Sequence, residues 1–185
     1  MDIAVFGGSF DPFHIGHEKI VTKILQQLCI DKLFIIPTFL NPFKTKSHLC
    51  ANDRLKLIQE LYKNNPKIDI IDFEVNQKKK VTTFETIKYL QTKYNTDKIY
   101  LIIGADNLKD IHLWYNFKNL NKLVQFVVIS RDNITLENKY ITNPIYINIK
   151  ENISSSLLRK NMELKYIPKK IQQKVNKLWK QELKE

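Results

Sequence analysis

Apolar residues along the chain fall into two kinds of pattern that take turns. Continuous short runs, Ile3 to Phe6, Leu33 to Pro37, Lys98 to Ile103 and Gln125 to Ser130, read as buried strands, and Ile145 to Ile149 as a weaker last one. Ile68 to Val75 reads as a further strand whose apolar parity shifts between Ile70 and Ile71, the pattern of a bulge or a twist. Between the runs, apolar residues recur every third or fourth position and predict helices. Ile20, Ile24, Leu25 and Leu28 form one such face. Leu55, Ile58, Leu61 and Tyr62 form the next, with Asn52 or Asp53 as cap and Asn64-Asn65-Pro66 as stop. Phe84, Ile87, Leu90 and Tyr94 follow a capping box from Thr82 to Glu85. Shorter helical pieces lead to Trp114 and from Asn116 to Leu123. A last helix carries Ile171, Val175, Leu178 and Trp179 behind Pro168. Strands alternating with helices predict an α/β chain with a doubly wound parallel sheet, a single domain over 1–185 with a C-terminal helical segment from 153.

The sharpest local chemistry lies where the first strand meets the first helix, in MDIAVFGGSFDPFHIGH. Gly7 and Gly8 allow the main chain to come close to a ligand. His14 and His17 stand three apart at a helix start, where unpaired N–H groups and the dipole already favour an anion. The site suits a polyphosphate. A plain tight turn with incidental histidines is the other reading. A zinc site would need more ligands than the neighbourhood offers, which is Asp11 and no cysteine.

Composition narrows the classes. The 185 residues are 43% hydrophobic and 11% aromatic, which argues for a packed globular fold. Cys29 and Cys50 form no CxxC motif, no apolar run approaches a membrane span, and no signal peptide stands at the N-terminus. The expectation is a soluble cytoplasmic protein without a membrane partner. The formal charge of +11 could mark a nucleic-acid binder. The excess is lysine spread along the chain, however, and Arg54, Arg131 and Arg159 are the only arginines, whereas base readout leans on arginine. A lysine-rich surface around an anionic-substrate site accounts for the charge better, and no nucleic-acid partner is expected.

The segment GGSFDPFHIGH resembles the GGTFDPPHxGH signature of the nucleotidylyltransferase superfamily, whose core is His-x-Gly-His. Far downstream, Ile153-Ser154-Ser155-Ser156-Leu157-Leu158-Arg159 resembles that superfamily's Ile-Ser-Ser-Thr-x-Ile-Arg. Two signatures in the right order near opposite ends are more specific than either alone. The resemblance implies a Rossmann-like sheet of the nucleotidylyltransferase type.

Three further segments resemble the nicotinate mononucleotide adenylyltransferases of bacteria. Val81-Thr82-Thr83-Phe84-Glu85-Thr86 stands in place of Ser-Tyr-Thr-x-Asp-Thr. Gly104-Ala105-Asp106-Asn107-Leu108 and then Trp114 match Gly-x-Asp-x-Leu and its tryptophan. Asn41-Pro42-Phe43-Lys44 occupies the place of Pro-Pro-His-Lys. Val81, Thr82 and Phe43 depart from the pattern. Histidine at position 14, where pantetheine-phosphate adenylyltransferases usually carry threonine, favours the pyridine-nucleotide branch.

The resemblance implies adenylyl transfer from ATP to nicotinate mononucleotide, giving deamido-NAD and pyrophosphate, with Mg²⁺ carried by ATP and pyrophosphate and no metal held by the protein alone. His14, His17, Lys44 and Arg159 would stabilise charge on the reacting phosphates. Gly7, Gly8, Ser9, Phe10, Ser154, Ser155, Ser156 and Arg159 would hold ATP. Thr83, Gly104, Asp106, Trp114 and Tyr115 would hold the mononucleotide, Asp106 at a ribose hydroxyl and the two aromatics on the pyridine. Read from the bare sequence, Trp114 could equally be a core aromatic. Nicotinamide mononucleotide and phosphopantetheine are the neighbouring substrates, and a basic nucleic-acid-binding module is the competing class.

Overall fold

The computed structural model describes residues 1–41, 45–131, 138–149 and 163–182. Six strands form one wholly parallel sheet: β1 (Asp2–Gly8), β2 (Lys32–Pro37), β3 (Ile68–Ile70), β4 (Lys98–Gly104), β5 (Gln125–Arg131) and β6 (Ile145–Ile149), in the spatial order β3-β2-β1-β4-β5-β6. Among the described residues the helices are α1 (Ile15–Gln27), α2 (Ala51–Tyr62), α3 (Phe73–Asn76), α4 (Thr83–Lys93), α5 (Phe117–Leu123) and α6 (Gln172–Glu182). Two short 3₁₀ turns, Ala105–Asn107 and Ile111–Leu113, follow β4.

The strands are buried on both faces, which is why they read as unbroken apolar runs. Alternate residues feed two cores. Ala4 and Phe6 of β1, Leu33 and Ile35 of β2, Val127 and Ile129 of β5 face Ile20, Val21 and Ile24 of α1 and Ile58 of α2. Ile3 and Val5, Phe34 and Ile36, Leu101 and Ile103 face Ile87 and Leu90 of α4 and Leu120 of α5. A third cluster joins the C-terminal part to the rest: Ile167, Ile171, Val175 and Trp179 pack on Leu49 and on Leu57 of α2.

Several boundaries differ from those the pattern predicts, each for a local reason. β3 ends at Ile70, and the parity shift there marks a change of element: the chain turns into α3, which buries Glu74 and Val75. The cap of α2 is Cys50, two residues ahead of Asn52, so the buried face is Ala51, Arg54, Leu57 and Ile58. His14 is the N-cap of α1, in extended backbone, with His17 as the third helical residue. Pro168 leads into a 3₁₀ turn, Lys169–Ile171, before α6 begins. Of the C-terminal helical segment expected from 153, residues 153–162 lie outside the described residues.

Because every strand runs the same way, Gly8, Pro37, Ile70, Gly104 and Arg131 end on one edge of the sheet. The chain's direction of travel across the sheet reverses at β1, whose neighbours are β2 and β4. Crevices for ligands open beyond the carboxyl ends of strands at such a reversal. The loops that leave β1 and β4 flank it.

Candidate active site

The loop from Gly7 to His14 forms one wall of this crevice. Gly7 is exposed and Gly8 half-buried, and a Cβ on Gly8 would lie 2.9 Å from the Phe10 ring, so the glycine lets that ring fold under the loop. Phe10 takes a left-handed backbone, φ 47°, and buries its side chain against Phe6, Phe13 and His17. Phe10 as a whole is 2% exposed, so its ring belongs to the packing under the loop.

At the end of the loop the two histidines form a unit. Their rings stack with centroids 3.6 Å apart, and the backbone N–H of His14 donates to Nδ1 of His17 at 3.2 Å. His14 is fully buried, whereas His17 is half-exposed and held between the Phe10 and Phe13 rings, each centroid 5.1 Å away. An Nδ1 that accepts a hydrogen bond leaves the neutral imidazole's proton on Nε2. His17 thus keeps its Nε2–H as a donor in the first turn of a 13-residue helix.

Behind the loop sits a polar knot. Asp11 is 2% exposed; its two carboxylate oxygens accept from the N–H groups of His48 at 2.9 Å and Leu49 at 2.8 Å. Arg54, 1% exposed, donates from Nε to the Leu49 carbonyl at 3.0 Å. Its Nη1 donates to the Ser9 carbonyl at 2.6 Å and the Thr38 carbonyl at 2.8 Å, and its Nη2 to the Phe39 carbonyl at 2.8 Å. Burial lowers the pKa of this guanidinium, and the charge of Asp11 works against that shift. Neither residue stood out in the sequence beyond Asp11 as a possible metal ligand. A usable signal existed: Arg54, Leu57 and Ile58 share helical spacing, which places one of the chain's few arginines on the buried face of α2.

The other wall is built by α4 and the turns after β4. Thr82 caps α4; its hydroxyl accepts from the Glu85 N–H at 3.3 Å, while Glu85 Oε2 accepts from the Thr82 N–H at 2.8 Å. The N–H groups of Thr83 and Phe84 stand outside this exchange, at the positive end of the helix. Phe84 and Tyr115 meet edge to face with centroids 6.1 Å apart, which brings the start of α4 to the segment after β4. Tyr115 is 64% exposed; Trp114 is half-buried and packs on the core beneath α4. Asp106 is exposed, and its Oδ1 lies only 2.3 Å from where a Cβ on Gly104 would stand. Underneath, the Thr86 hydroxyl donates to Glu74 Oε1 at 2.6 Å and fixes α4 to α3.

The structure thus brings Gly7, Gly8, Ser9, His14 and His17 together beside β1, and Thr83, Gly104, Asp106, Trp114 and Tyr115 to the neighbouring wall. Lys44, Ser154, Ser155, Ser156 and Arg159 lie outside the described residues. Among the described residues no group of three or more His, Cys, Asp or Glu side chains could hold a metal ion, and no helix is long and apolar enough to cross a membrane.

Comparison with known proteins bears on the family and the fold. The Cytidylyltransferase-like family matches residues 5–161. A protein of Campylobacter fetus named "Probable nicotinate-nucleotide adenylyltransferase" is 44% identical over 181 residues, 98% of each chain. One of the same name from Aliarcobacter butzleri is 41% identical over 175 residues, 95% of each. Among solved structures, the nicotinic acid mononucleotide adenylyltransferase of Plasmodium falciparum complexed with NaAD superposes with a TM-score of 0.75, at 23% identity and 91% coverage of both chains, which speaks for the fold. The chain belongs to the cytidylyltransferase-like nucleotidyltransferases, in the branch of the nicotinate-nucleotide adenylyltransferases.

Proposed function

We propose that the protein transfers the adenylyl group of ATP to nicotinate mononucleotide and releases pyrophosphate. A phosphate oxygen of the mononucleotide forms a bond to the α-phosphorus of ATP as the bond from that phosphorus to the bridging oxygen of pyrophosphate breaks. The attacking oxygen is already anionic, so the protein needs to align the two phosphates and neutralise charge as it moves toward the leaving group. The observation that carries this reading is His17, whose Nδ1 accepts from the His14 N–H at 3.2 Å, which leaves the neutral ring's proton on Nε2 in the first turn of α1. A fixed donor at a helix start serves charge that develops in the transition state. His14 stands directly behind it in the stack.

Mg²⁺ enters as part of the ATP substrate. The crevice offers imidazole and N–H donors, and the carboxylate of Asp11 is occupied by two backbone N–H groups, so the triphosphate oxygens are the ligands that suit the ion. Lys44, Ser154, Ser155, Ser156 and Arg159 would serve the triphosphate, as the resemblance of their segments to the superfamily's signatures implies. On the opposite wall Trp114 and Tyr115 would stack on the pyridine, Asp106 would take a ribose hydroxyl, and the N–H groups of Thr83 and Phe84 would receive the carboxylate.

The buried state of Arg54 weakens the competing nucleic-acid reading, since it withdraws one of three arginines from the surface. Incubation with ATP, Mg²⁺ and nicotinate mononucleotide should release pyrophosphate and form the dinucleotide in equal amounts. Salt-dependent RNA or DNA binding without pyrophosphate release would contradict the proposal.

A further inference from the structure

Glu74 is a carboxyl group buried in the wall that carries the start of α4, 6% exposed. Among the described residues its side chain makes no ion pair and one hydrogen bond, accepted by Oε1 from the Thr86 hydroxyl at 2.6 Å. α3 packs on α2 and β2 and, through this bond and the Phe73–Tyr89 stack, on α4. The charged groups of those elements are engaged elsewhere. Lys32 of β2 pairs with Asp69 at 3.1 Å, and Arg54 of α2 is bound to backbone carbonyls. Asp53 and Lys56 of α2 line a groove toward α6, and Glu60 pairs with Lys63 and Lys174. On α4, Lys88 bonds Gln91 and Lys93 bonds the Tyr89 hydroxyl. Asp72 and Lys78 to Lys80, flanking α3, are exposed. Glu85 is the one charged group whose field reaches Glu74, and it is an anion. Burial with no cation beside it disfavours the charged form, and pushes the pKa up to about 7 against the pull of the Thr86 hydrogen bond.

The same helix end is where a substrate carboxylate would be received. Thr83 is the first residue of α4 and Thr86 stands three residues on, about 4.5 Å along the axis. A charge on Glu74 and an anion at the Thr83 and Phe84 N–H groups would stand on the order of 10 Å apart, through buried protein where salt screens little.

We infer that Glu74 is a specificity-determining residue that acts without touching substrate: neutral, it leaves the start of α4 able to receive the nicotinate carboxylate, and ionised, it opposes that anion. This rests on the proposed adenylyl transfer and its placing of the carboxylate. The alternative is a Glu74 that only ties α4 to α3 and has no bearing on which pyridine is taken.

Calorimetric Kd values for nicotinate and nicotinamide mononucleotide, with a non-hydrolysable ATP analogue present, separate the two when measured at about pH 6 and about pH 8.5, either side of the Glu74 titration. Groups common to both complexes, the substrate phosphate included, cancel in the ratio of the two Kd values. In the wild type the preference for the acid should fall about fivefold or more from the lower pH to the higher. In Glu74→Gln, whose amide keeps an acceptor for the Thr86 hydroxyl, it should stay level. A level preference in the wild type, or the same fall in Glu74→Gln, overturns the inference. Should the glutamine variant not fold, the wild-type series decides alone. The expected pH dependence of binding without pyrophosphate release from ATP would leave the selectivity device standing and remove the proposed reaction. Failure to bind either mononucleotide would remove both.

Discussion

The backbone N–H of His14 donates to Nδ1 of His17 at 3.2 Å while the two rings stack at 3.6 Å, so the cap of α1 and the orientation of the His17 ring are one interaction. The two histidines consequently differ in what they hold up. His17 is half-exposed at the crevice, and His14 is fully buried behind it. His17→Ala should lower kcat by about 10²–10³ through loss of a fixed donor, at a stability cost of about 1 kcal/mol. His14→Ala should cost more stability, about 2–3 kcal/mol, because it opens a cavity in a closed site. Steady-state kinetics and denaturant unfolding of the two variants measure both effects, and normal turnover by His17→Ala would remove that residue from the chemistry.

Asp106 folds back over Gly104 so closely that any side chain at 104 would displace it. A Cβ there would lie 2.3 Å from Asp106 Oδ1, whereas Gly104 itself has ordinary negative φ. Gly104→Ala therefore tests the position of the carboxylate and not backbone strain. KM for the mononucleotide should rise about 10-fold, equivalent to roughly one good charged hydrogen bond, with KM for ATP nearly unchanged. An unaffected KM for the mononucleotide would detach Asp106 from the ribose.

Glu74 gives the wall under α4 a pH dependence of stability. It is 6% exposed, and burial lifts its pKa from 4.5 to about 7 although the Thr86 hydroxyl bond pulls the other way. A raised pKa in the folded state means that stability is greatest below the unfolded value and is lost as pH climbs through the folded one. The loss between pH 4.5 and 7 should be roughly 3 kcal/mol. The wild type should lose this increment relative to Glu74→Gln as pH rises from 5 to 8, while the difference cancels the general charge effects of a basic chain. Parallel stability-pH curves for the two proteins would contradict the burial account.

Much of this was readable from residue order, and the exceptions have physical causes. Strands buried on both faces leave continuous apolar runs, and β2, β4, β5 and β6 appear close to where LFIIP, KIYLII, QFVVIS and IYINI place them. The Thr82–Glu85 capping box likewise forms as its spacing predicts, because both partners lie within one helical turn. Arg54 and Glu74 are another matter. A charged residue within a helix or strand pattern reads as solvent-facing, and its burial depends on carbonyls and hydroxyls brought from distant segments, which periodicity does not encode. Apolar Ile71, Phe73 and Val75 extend the strand pattern past the end of β3 at Ile70, where they serve the start of α3.

Arg159 follows the serines Ser154 to Ser156 by about one helical turn in the sequence that resembles the superfamily's second signature. Arg159→Lys should raise KM for ATP about 10-fold despite retaining its charge, because lysine cannot make the two-pronged phosphate contact. An unchanged KM for ATP would assign Arg159 to the surface.

The central claim is selectivity for the acid. Aromatic faces at Trp114 and Tyr115 would hold either pyridine ring, whereas the N–H groups of Thr83 and Phe84 at the dipole end of α4 would favour a carboxylate over an amide, which would present its own N–H to them. The most direct measurement is kcat/KM for pyrophosphate release from ATP with nicotinate mononucleotide and with nicotinamide mononucleotide under identical conditions. The acid should be preferred by about 10²–10⁴-fold. Equal values, or a preference for the amide, would contradict the account.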